Sequence, residues 1–398
     1  MMRMFKATMV VFVSLVFLVT AAAAGETGVT DKSVKIGFLT VLTGPAAGIG
    51  RMIGQGAEIA FKEANDAGGI HGRKIDLILE DNAYNPKQTV AGIKKLKNRD
   101  KIFGIAGCIG AAPGLAAMPL AQASKIPTFL SGGLKTWFDP PKRYVFVVGM
   151  PYRLEMIGLT EYAMKTLSAS KKKFGFLFQD DSKEACIGAA KAISEKYGIN
   201  VVTLQSFKRR TPDPSPQILA LKKAGVEVVL VLTNARDMAL ILKKTMELNY
   251  KPTYMGITPS IDPSIFKALP PGDIDFYAAA ALAPLSMEIP GIRHLNELGN
   301  KYYPEFHLAT YQLLGYVPGR IFINGLKVAG RDLTREKFVD AVEKIKNLEL
   351  QGVAPPVTFS PNRRYSASSV MVVKMDTAAK NFKVVRGAEE VKCNPFNK

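Results

Sequence analysis

Residues 33–69 read SVKIGFLTVLTGPAAGIGRMIGQGAEIAFKEANDAGG, and this stretch decides the fold class. Alternate residues from Val34 to Phe38 are apolar, which is the period of a β-strand. A glycine-rich loop over 43–50 follows, and from Ile53 apolar residues recur at helical spacing until a pair of glycines ends the helix. The stretch therefore predicts a strand, a loop and a helix, the opening unit of an α/β protein.

The same alternation of short β-branched or aromatic runs with helix-length segments continues along the chain. Further strands are predicted at 74–81, 102–106, 128–130, 144–148, 174–178, 200–207, 226–232, near Tyr254 and at 275–280. Helices are predicted between them at 86–98, 113–124, 183–197, 216–224 and 236–249. This order predicts parallel sheets with helices on both faces, in two units that meet near residue 151.

After about residue 284 the character of the sequence changes. Two long helical segments, 307–329 and 334–346, precede a predicted hairpin of 356–359 with 369–375. Two domains joined by a single linker would not need this late return to helices. The pattern indicates that the chain crosses back to complete the first unit and then crosses again to complete the second.

Composition limits the class of protein. The 398 residues are 47% hydrophobic and 22% charged, which is typical of a soluble globular chain with two domains and excludes disordered, collagen-like and polytopic membrane proteins. The formal net charge of +19 is spread in short clusters. That distribution predicts loose attraction to polyanions, and no nucleic-acid partner is expected.

The first 24 residues have the organisation of a secretory signal peptide. Arg3 and Lys6 form a basic segment, an apolar run covers 9–20, and 22–24 is an alanine cleavage site. The alternative is a membrane anchor, but a spanning helix needs about 20 apolar residues and this run is shorter. The sequence therefore predicts cleavage after residue 24 and a periplasmic location.

No motif for an enzyme or a metal site is present. The histidines, His71, His294 and His307, lack metal-binding spacing, and the three cysteines, Cys108, Cys186 and Cys393, form no C-x-x-C pair. At most one disulfide is possible, or the cysteines are small buried apolar residues. The least implausible catalytic set is Asp180, Asp181 and Lys183, where helix capping is the alternative. The chain is expected to be a non-enzyme without cofactor or metal.

Small, polar or glycine-rich loops follow the predicted strands. They cover 43–47, 107–111, 131–133, 180–183, 233–234 and 258–260. Open α/β sheets bind ligands at the carboxyl ends of their strands, where glycines expose backbone N–H groups and helix N-termini attract carboxylates. The alternative is that these glycines serve only tight turns.

Four segments carry a family resemblance. They read VKIGFLTVLTGP at 34–45, GQGAEIA at 54–60, NDAGGIHGRK at 65–74 and EDN at 80–82. In these segments the chain resembles the leucine-binding-protein-like periplasmic substrate-binding proteins of branched-chain amino acid and amide ABC transporters. The resemblance covers essentially the whole chain after residue 24.

The resemblance implies a type I periplasmic binding fold, α/β, with two Rossmann-like lobes, parallel central sheets and three crossovers. It places lobe 1 at 31–148 plus 282–350, lobe 2 at 149–281 plus 351–390, and a C-terminal tail at 391–398. It also implies a monomer that binds a small molecule in a cleft between the lobes, closes about a hinge and docks on permease subunits. A sensor subunit of the same fold is the alternative function.

The resemblance and the loops together predict a ligand site. Its residues are Thr43, Ala47, Cys108, Ile109, Gly110, Ala111, Ser131, Gly132, Gly133, Tyr152, Asp181, Lys183, Asn234 and Thr258, with Arg51, Tyr84 and Trp137 as further candidates.

Four departures from the family pattern concern the ligand. Segment 107–114 has no hydroxyl group, and Thr136 is displaced from its usual place. Thr258 stands where relatives have the acid that binds an ammonium group, and the tyrosine usual in the second lobe falls near Lys183. An amino-acid cation buried without that acid would cost several kcal/mol. The predicted ligand is therefore an apolar or aromatic carboxylate or amide, although the branched-chain amino acid class stays open.

Overall fold

Two β-sheets organise the chain in the computed structural model, which describes residues 25–269, 272 and 274–396. The predicted signal peptide lies outside the described residues. The first sheet contains β1 (Ser33–Thr40), β2 (Lys74–Asp81), β3 (Gly104–Ile109), β4 (Thr128–Ser131) and β5 (Val145–Val148). All its pairs are parallel, in the order β2-β1-β3-β4-β5.

The second sheet has seven strands. These are β6 (Lys173–Gln179), β7 (Asn200–Phe207), β8 (Val228–Leu232), β9 (Thr253–Gly256), β10 (Phe276–Ala280), β11 (Ser369–Asp376) and β12 (Asn381–Glu390). Their order is β12-β11-β10-β9-β8-β6-β7, with the last two strands of the chain antiparallel. The strands buried on both faces are almost continuously apolar, as parallel strands covered by helices must be.

Helices connect and cover these strands. They are α1 (Ala47–Asp66), α2 (Pro86–Asn98), α3 (Ala111–Ala123), α4 (Tyr152–Thr166), α5 (Lys183–Tyr197), α6 (Ser215–Lys223), α7 (Ala235–Glu247), α8 (Ile265–Ala268), α9 (Pro290–Tyr302), α10 (Thr310–Ala329) and α11 (Arg335–Glu343). Capping residues explain several starts: the Asn85 side chain accepts two backbone N–H bonds of α2, and Thr334 accepts one of α11. None of the helices in the described ranges has the length and apolar composition that a membrane span requires.

The chain passes between the sheets three times. It leaves the first sheet after β5, and it returns after β10 so that α10 packs on α1 and β3. It leaves again beside β5, where the Val147 N–H donates to Arg364 O at 2.7 Å and the Ser366 N–H donates to Val147 O at 2.9 Å. The late return predicted from the sequence is confirmed.

Three helices, one strand and one strand pairing differ from the sequence predictions. The helices α4, α8 and α9 were not predicted. α4 has no apolar stripe because it is buried almost all round from Leu154 to Ala163. The predicted hairpin was wrong, since β11 pairs with β12 and Val357 instead bridges to Leu348. The strand β12 was not predicted, because this edge strand has charged residues at 383, 386, 389 and 390, which do not follow the period-two alternation of a half-buried strand.

Glycines allow α1 and α10 to touch backbone to backbone. A β-carbon on Gly315 would lie 1.8 Å from the carbonyl oxygen of Ile53, and one on Gly56 would lie 1.9 Å from that of Gln312. Atoms do not approach so closely, so these positions require glycine. This contact sets the place of the first turn of α10, which helps to form the site described next.

Candidate functional site

A cleft of about 490 Å³ lies between the two sheets, at the carboxyl ends of their strands. The first sheet contributes Ile109, Gly110, Ala111 and Ala112 at the end of β3, Ser131, Gly132 and Leu134 at the end of β4, and Val148, Gly149, Met150 and Tyr152 at the end of β5. The second sheet contributes Gln179, Asp181, Ser182, Arg209, Leu232, Thr233, Asn234, Ile257, Thr258, Pro259, Ile261, Asp262, Ala281 and Leu282. The chain that returns contributes the start of α10 with Ala354, Pro355 and Val357. Strand ends from both sheets converge here, which is where open α/β sheets bind ligands.

The structure brings most of the predicted site residues together in this cleft. Those that line it are Ile109, Gly110, Ala111, Ser131, Gly132, Tyr152, Asp181, Asn234 and Thr258, together with Tyr84 and Trp137 from the further candidates.

Five predicted residues and Arg51 lie outside the wall of the cleft. Thr43 donates its hydroxyl to Asp81 at 2.5 Å, and Ala47 is the first residue of α1. Cys108 is fully buried within β3, and burial raises the pKa of its thiol to about 12. The remaining two are Gly133, which packs behind Tyr152, and Lys183, which is exposed at the start of α5.

The structure distinguishes between the two interpretations of the cysteines, a disulfide or buried apolar residues, within the described part of the chain. Cys108, Cys186 and Cys393 are all free thiols there. Cys108 and Cys186 are buried among apolar side chains of one core cluster. They act as small apolar residues, the second of the two interpretations.

The wall from the first sheet offers hydrogen-bond donors. The Ser131 hydroxyl and the Trp137 indole N–H are buried and have no hydrogen-bond partner among the described residues. Trp137 is only 1% exposed because two glycines make room for its ring: a β-carbon on Gly114 would lie 2.6 Å from the ring and one on Gly132 2.9 Å from it. The N-terminus of α3 lies beside them, and its N-cap Gly110 makes no side-chain cap.

The wall from the second sheet is polar at the mouth. Arg209 donates to Asp181 at 2.7 Å, and both residues line the cleft. The side chain of Asn234 accepts from the Asp237 N–H at 3.0 Å, so this predicted ligand group caps α7. Thr233 is 2% exposed, and its hydroxyl has no partner in the described chain. Sequence reasoning missed Arg209, which lies in a proline-rich loop without a regular pattern.

A buried carboxyl group in the cleft was also missed. Glu155, on the first turn of α4, is 2% exposed and accepts the backbone N–H of Thr258 at 2.7 Å. Burial raises the pKa of Glu155 to about 8, and the hydrogen bonds from Thr258 oppose this rise only in part. The sequence signal that could have revealed Glu155 is a single acid inside the otherwise apolar segment LEMIGL at 154–159.

The rest of the wall is mostly apolar. Leu115, Leu134 and Met150 lie on one side, and the other side is formed by Leu282, Leu313, Leu314, Val317, Pro318, Ala354, Pro355 and Val357. The second group comes from segments that return to the first sheet late in the chain. No local pattern marks such residues, so the sequence did not predict them.

One contact bridges the cleft. Tyr311, at the start of α10, hydrogen-bonds to Asp262, which follows β9. Burial, and then this carboxylate, raise the pKa of Tyr311, so the phenol stays protonated and donates. The pair joins elements of the two sheets at the cleft.

No group of three or more His, Cys, Asp or Glu residues is placed to hold a metal ion in the part of the chain that the structure describes. The unpartnered groups of the cleft wall are the hydroxyls of Ser131 and Thr233 and the indole N–H of Trp137, which are not the carboxylate, imidazole or thiolate ligands that metal ions prefer. The arrangement is suited to holding a small organic molecule.

Comparison with known proteins bears on this site. A family model described as periplasmic binding protein matches residues 33–380. Leu/Ile/Val-binding protein homolog 7 of Brucella abortus is 26% identical over 340 residues, which cover 81% of this chain and 84% of the relative.

Solved structures are similar over nearly the whole chain. A fatty acid ABC transporter substrate-binding protein from Thermomonospora curvata has a TM-score of 0.80 at 25% identity and covers 93% of this chain and 95% of its own. A branched-chain amino acid ABC transporter protein from Thermus thermophilus, with bound valine, has a TM-score of 0.77 at 21% identity and covers 94% and 98%. The predicted fold, two α/β lobes with parallel central sheets, is confirmed.

Proposed function

Because this chain belongs to the periplasmic binding protein family, we propose that its cleft captures an apolar monocarboxylate for delivery to the permease of an ABC transporter. The family predicted from residues 34–82 is the right one, and its fold is type I. The chain is a binding protein and not an enzyme, and its family is periplasmic.

The observation that carries this proposal is the chemistry of the unpartnered groups in an otherwise apolar cleft. Trp137 can only donate a hydrogen bond, the α3 N-terminus presents backbone N–H groups, and the hydroxyls of Ser131 and Thr233 can donate as well. A carboxylate accepts and never donates. Its two oxygens would satisfy donors that otherwise lie buried without partners, while its apolar body meets Leu115 and Leu314.

The size of the cleft supports a body larger than a small side chain. An apolar cavity of about 150 Å³ is enough to bind benzene. The cleft of about 490 Å³ has room for an alkyl chain or an aromatic acid with several more carbons. The name of the fatty-acid-binding structure from Thermomonospora curvata, at 25% identity, supports the same ligand class.

A branched-chain amino acid is the second candidate. The names of the Brucella relatives favour it, and so does Glu155, because its carboxyl group touches position 258, where an ammonium-binding acid was expected. An ammonium group there would require Glu155 to be ionised. The monocarboxylate is preferred because burial opposes that ionisation.

Octanoate is expected to bind the purified protein and to raise its melting temperature. At a hundredfold excess over the dissociation constant, binding contributes about 2.7 kcal/mol to stability. Trp137 is the only tryptophan and lines the cleft, so its fluorescence should change on titration with octanoate. Leucine and octylamine serve as comparison ligands. Stabilisation by leucine alone would contradict the proposed ligand class and support the second candidate.

A matched pair of substitutions on α3 tests the location. Ala112→Phe places a ring in the cleft at an exposed position, so octanoate affinity should fall at least tenfold with little change in melting temperature. Ala123→Phe adds the same ring at the exposed far end of the helix and should leave affinity unchanged. Isothermal titration calorimetry measures both, and equal affinities would place the ligand elsewhere.

The remaining parts of the proposal concern delivery. The lobes, 31–148 plus 282–350 and 149–281 plus 351–390, would close on the ligand about the three passes between the sheets. The closed monomer would then dock on permease subunits. Residues 1–24 would direct export and be removed.

A further inference from the structure

We propose that Glu155 enters the ligand complex as a neutral carboxylic acid and donates its proton in a hydrogen bond to a carboxylate oxygen of the ligand. This inference rests on the proposed function and goes beyond it, because it assigns a specificity-determining residue and makes binding dependent on pH.

The position of Glu155 is the first argument. It lies on the first turn of α4, lines the cleft and is 2% exposed. Its contact is Thr258, whose backbone N–H donates to Oε2 at 2.7 Å and whose hydroxyl also hydrogen-bonds to the carboxyl group. Thr258 therefore holds the carboxyl group of Glu155 in place at the wall of the cleft.

The absence of a counter-ion is the second argument. Glu155 forms no ion pair in the part of the chain that the structure describes, and burial and Thr258 are the causes of its pKa shift. Arg153 pairs with Glu184, Arg209 pairs with Asp181, Lys374 lies beside Asp275 and Tyr277, and Arg386 donates to the carbonyl oxygen of Gly158. A buried carboxylate without a cation is costly, so the neutral acid is the stable form.

The other titratable groups near Glu155 do not supply the positive charge that would stabilise its ionised form. Burial raises the pKa of Tyr152 on the same helix and of the Cys186 thiol on α5, so both groups are uncharged near neutral pH. Asp181 and Asp262 in the cleft are negative, and they engage Arg209 and Tyr311. Burial therefore dominates, and it raises the pKa of Glu155 to about 8.

The consequence for binding has a definite sign. Below pH 8 the neutral acid can share its proton with a carboxylate ligand, which makes a short charge-assisted hydrogen bond. Above pH 8 the ionised acid would face the ligand carboxylate in an apolar cleft, and two like charges there repel. A ligand with an ammonium group would show the opposite trend, because it needs the ionised acid.

Titration calorimetry with octanoate at pH 6.5, 7, 8 and 9 tests the inference. Because about a tenth of the acid stays protonated one unit above its pKa, octanoate should bind about tenfold more weakly at pH 9 than at pH 7. In buffers of different ionisation enthalpy, nearly one proton should be taken up per octanoate at pH 9. In Glu155→Gln, which keeps a donor without a titrating group, the affinity should not change between pH 7 and pH 9.

Glu195→Gln provides the matched control. Glu195 lies on α5 with a 66% exposed side chain, outside the cleft wall, so this variant should keep the tenfold change. Octanoate binding that is equal at pH 7 and pH 9 in the wild type would overturn the role of Glu155 and leave the proposed function standing. Binding that strengthens with pH would also overturn it. No octanoate binding at any pH would remove the proposed function itself.

Discussion

Replacing Gly315 with alanine is expected to lower the free energy of unfolding by about 3 kcal/mol. The new β-carbon would lie 1.8 Å from the carbonyl oxygen of Ile53, so α1 and α10 would have to separate. Both helices cover the first sheet, and their backbones are in contact, which leaves no flexible side chain to move aside. The higher helix propensity of alanine, worth about 1 kcal/mol, offsets only part of this cost. Urea denaturation at constant temperature measures the difference.

Gly48→Ala is the control for that substitution. Gly48 lies in the first turn of α1, and a β-carbon there would meet no atom within 4 Å. This variant should be equal in stability to the wild type or more stable by up to about 1 kcal/mol. The separation of α10 in Gly315→Ala should also weaken octanoate binding, since Thr310 and Leu314 line the cleft. A Gly315→Ala protein as stable as Gly48→Ala would show that the helices do not pack in this way.

Replacing Glu155 with glutamine is expected to make the protein more stable than the wild type at alkaline pH. The pKa of Glu155 is raised from 4.5 to about 8 by burial, so the folded state holds a proton that the unfolded chain releases. Stability from this group is therefore full below pH 4.5 and is lost as pH rises to 8. The loss reaches up to about 5 kcal/mol, since each pKa unit corresponds to about 1.4 kcal/mol.

Differential scanning calorimetry of ligand-free protein at pH 5, 7 and 9 checks this second prediction. The melting temperature of Glu155→Gln minus that of the wild type should increase with pH. Glutamine retains an oxygen that can accept the N–H of Thr258, so the variant should fold normally at pH 5. Glu195→Gln should follow the wild type at every pH. A constant difference between Glu155→Gln and the wild type would mean that Glu155 is already ionised at pH 5.

Local patterns predicted much of this molecule. The strand at 74–81 and the helices at 86–98 and 183–197 have the predicted bounds, because period and capping are properties of neighbouring residues. The loops after β3 and β4 were predicted to line the cleft for the same reason, and Ile109, Ser131 and Gly132 do line it.

Other features depend on residues far apart in the chain. The edge strand β12, the buried helix α4, and the wall formed by Leu313, Leu314 and Val357 have no local signal. The protonation state of Glu155 also depends on residues that are distant from it in the sequence. The sequence shows only that residue 155 is an acid, and its burial beside Thr258 favours the neutral form.

The sequence by itself determined the fold class, the family and several of the strand ends that line the cleft, because hydrophobic period, glycine placement and family motifs are encoded in short segments. The tertiary structure alone decided which of those strand ends share one cleft, which donors in it are unpartnered and which carboxyl group keeps its proton. The physical reason is that burial and electrostatic environment are set by contacts between segments that are distant in sequence, and these exist only after the chain has crossed between its sheets three times.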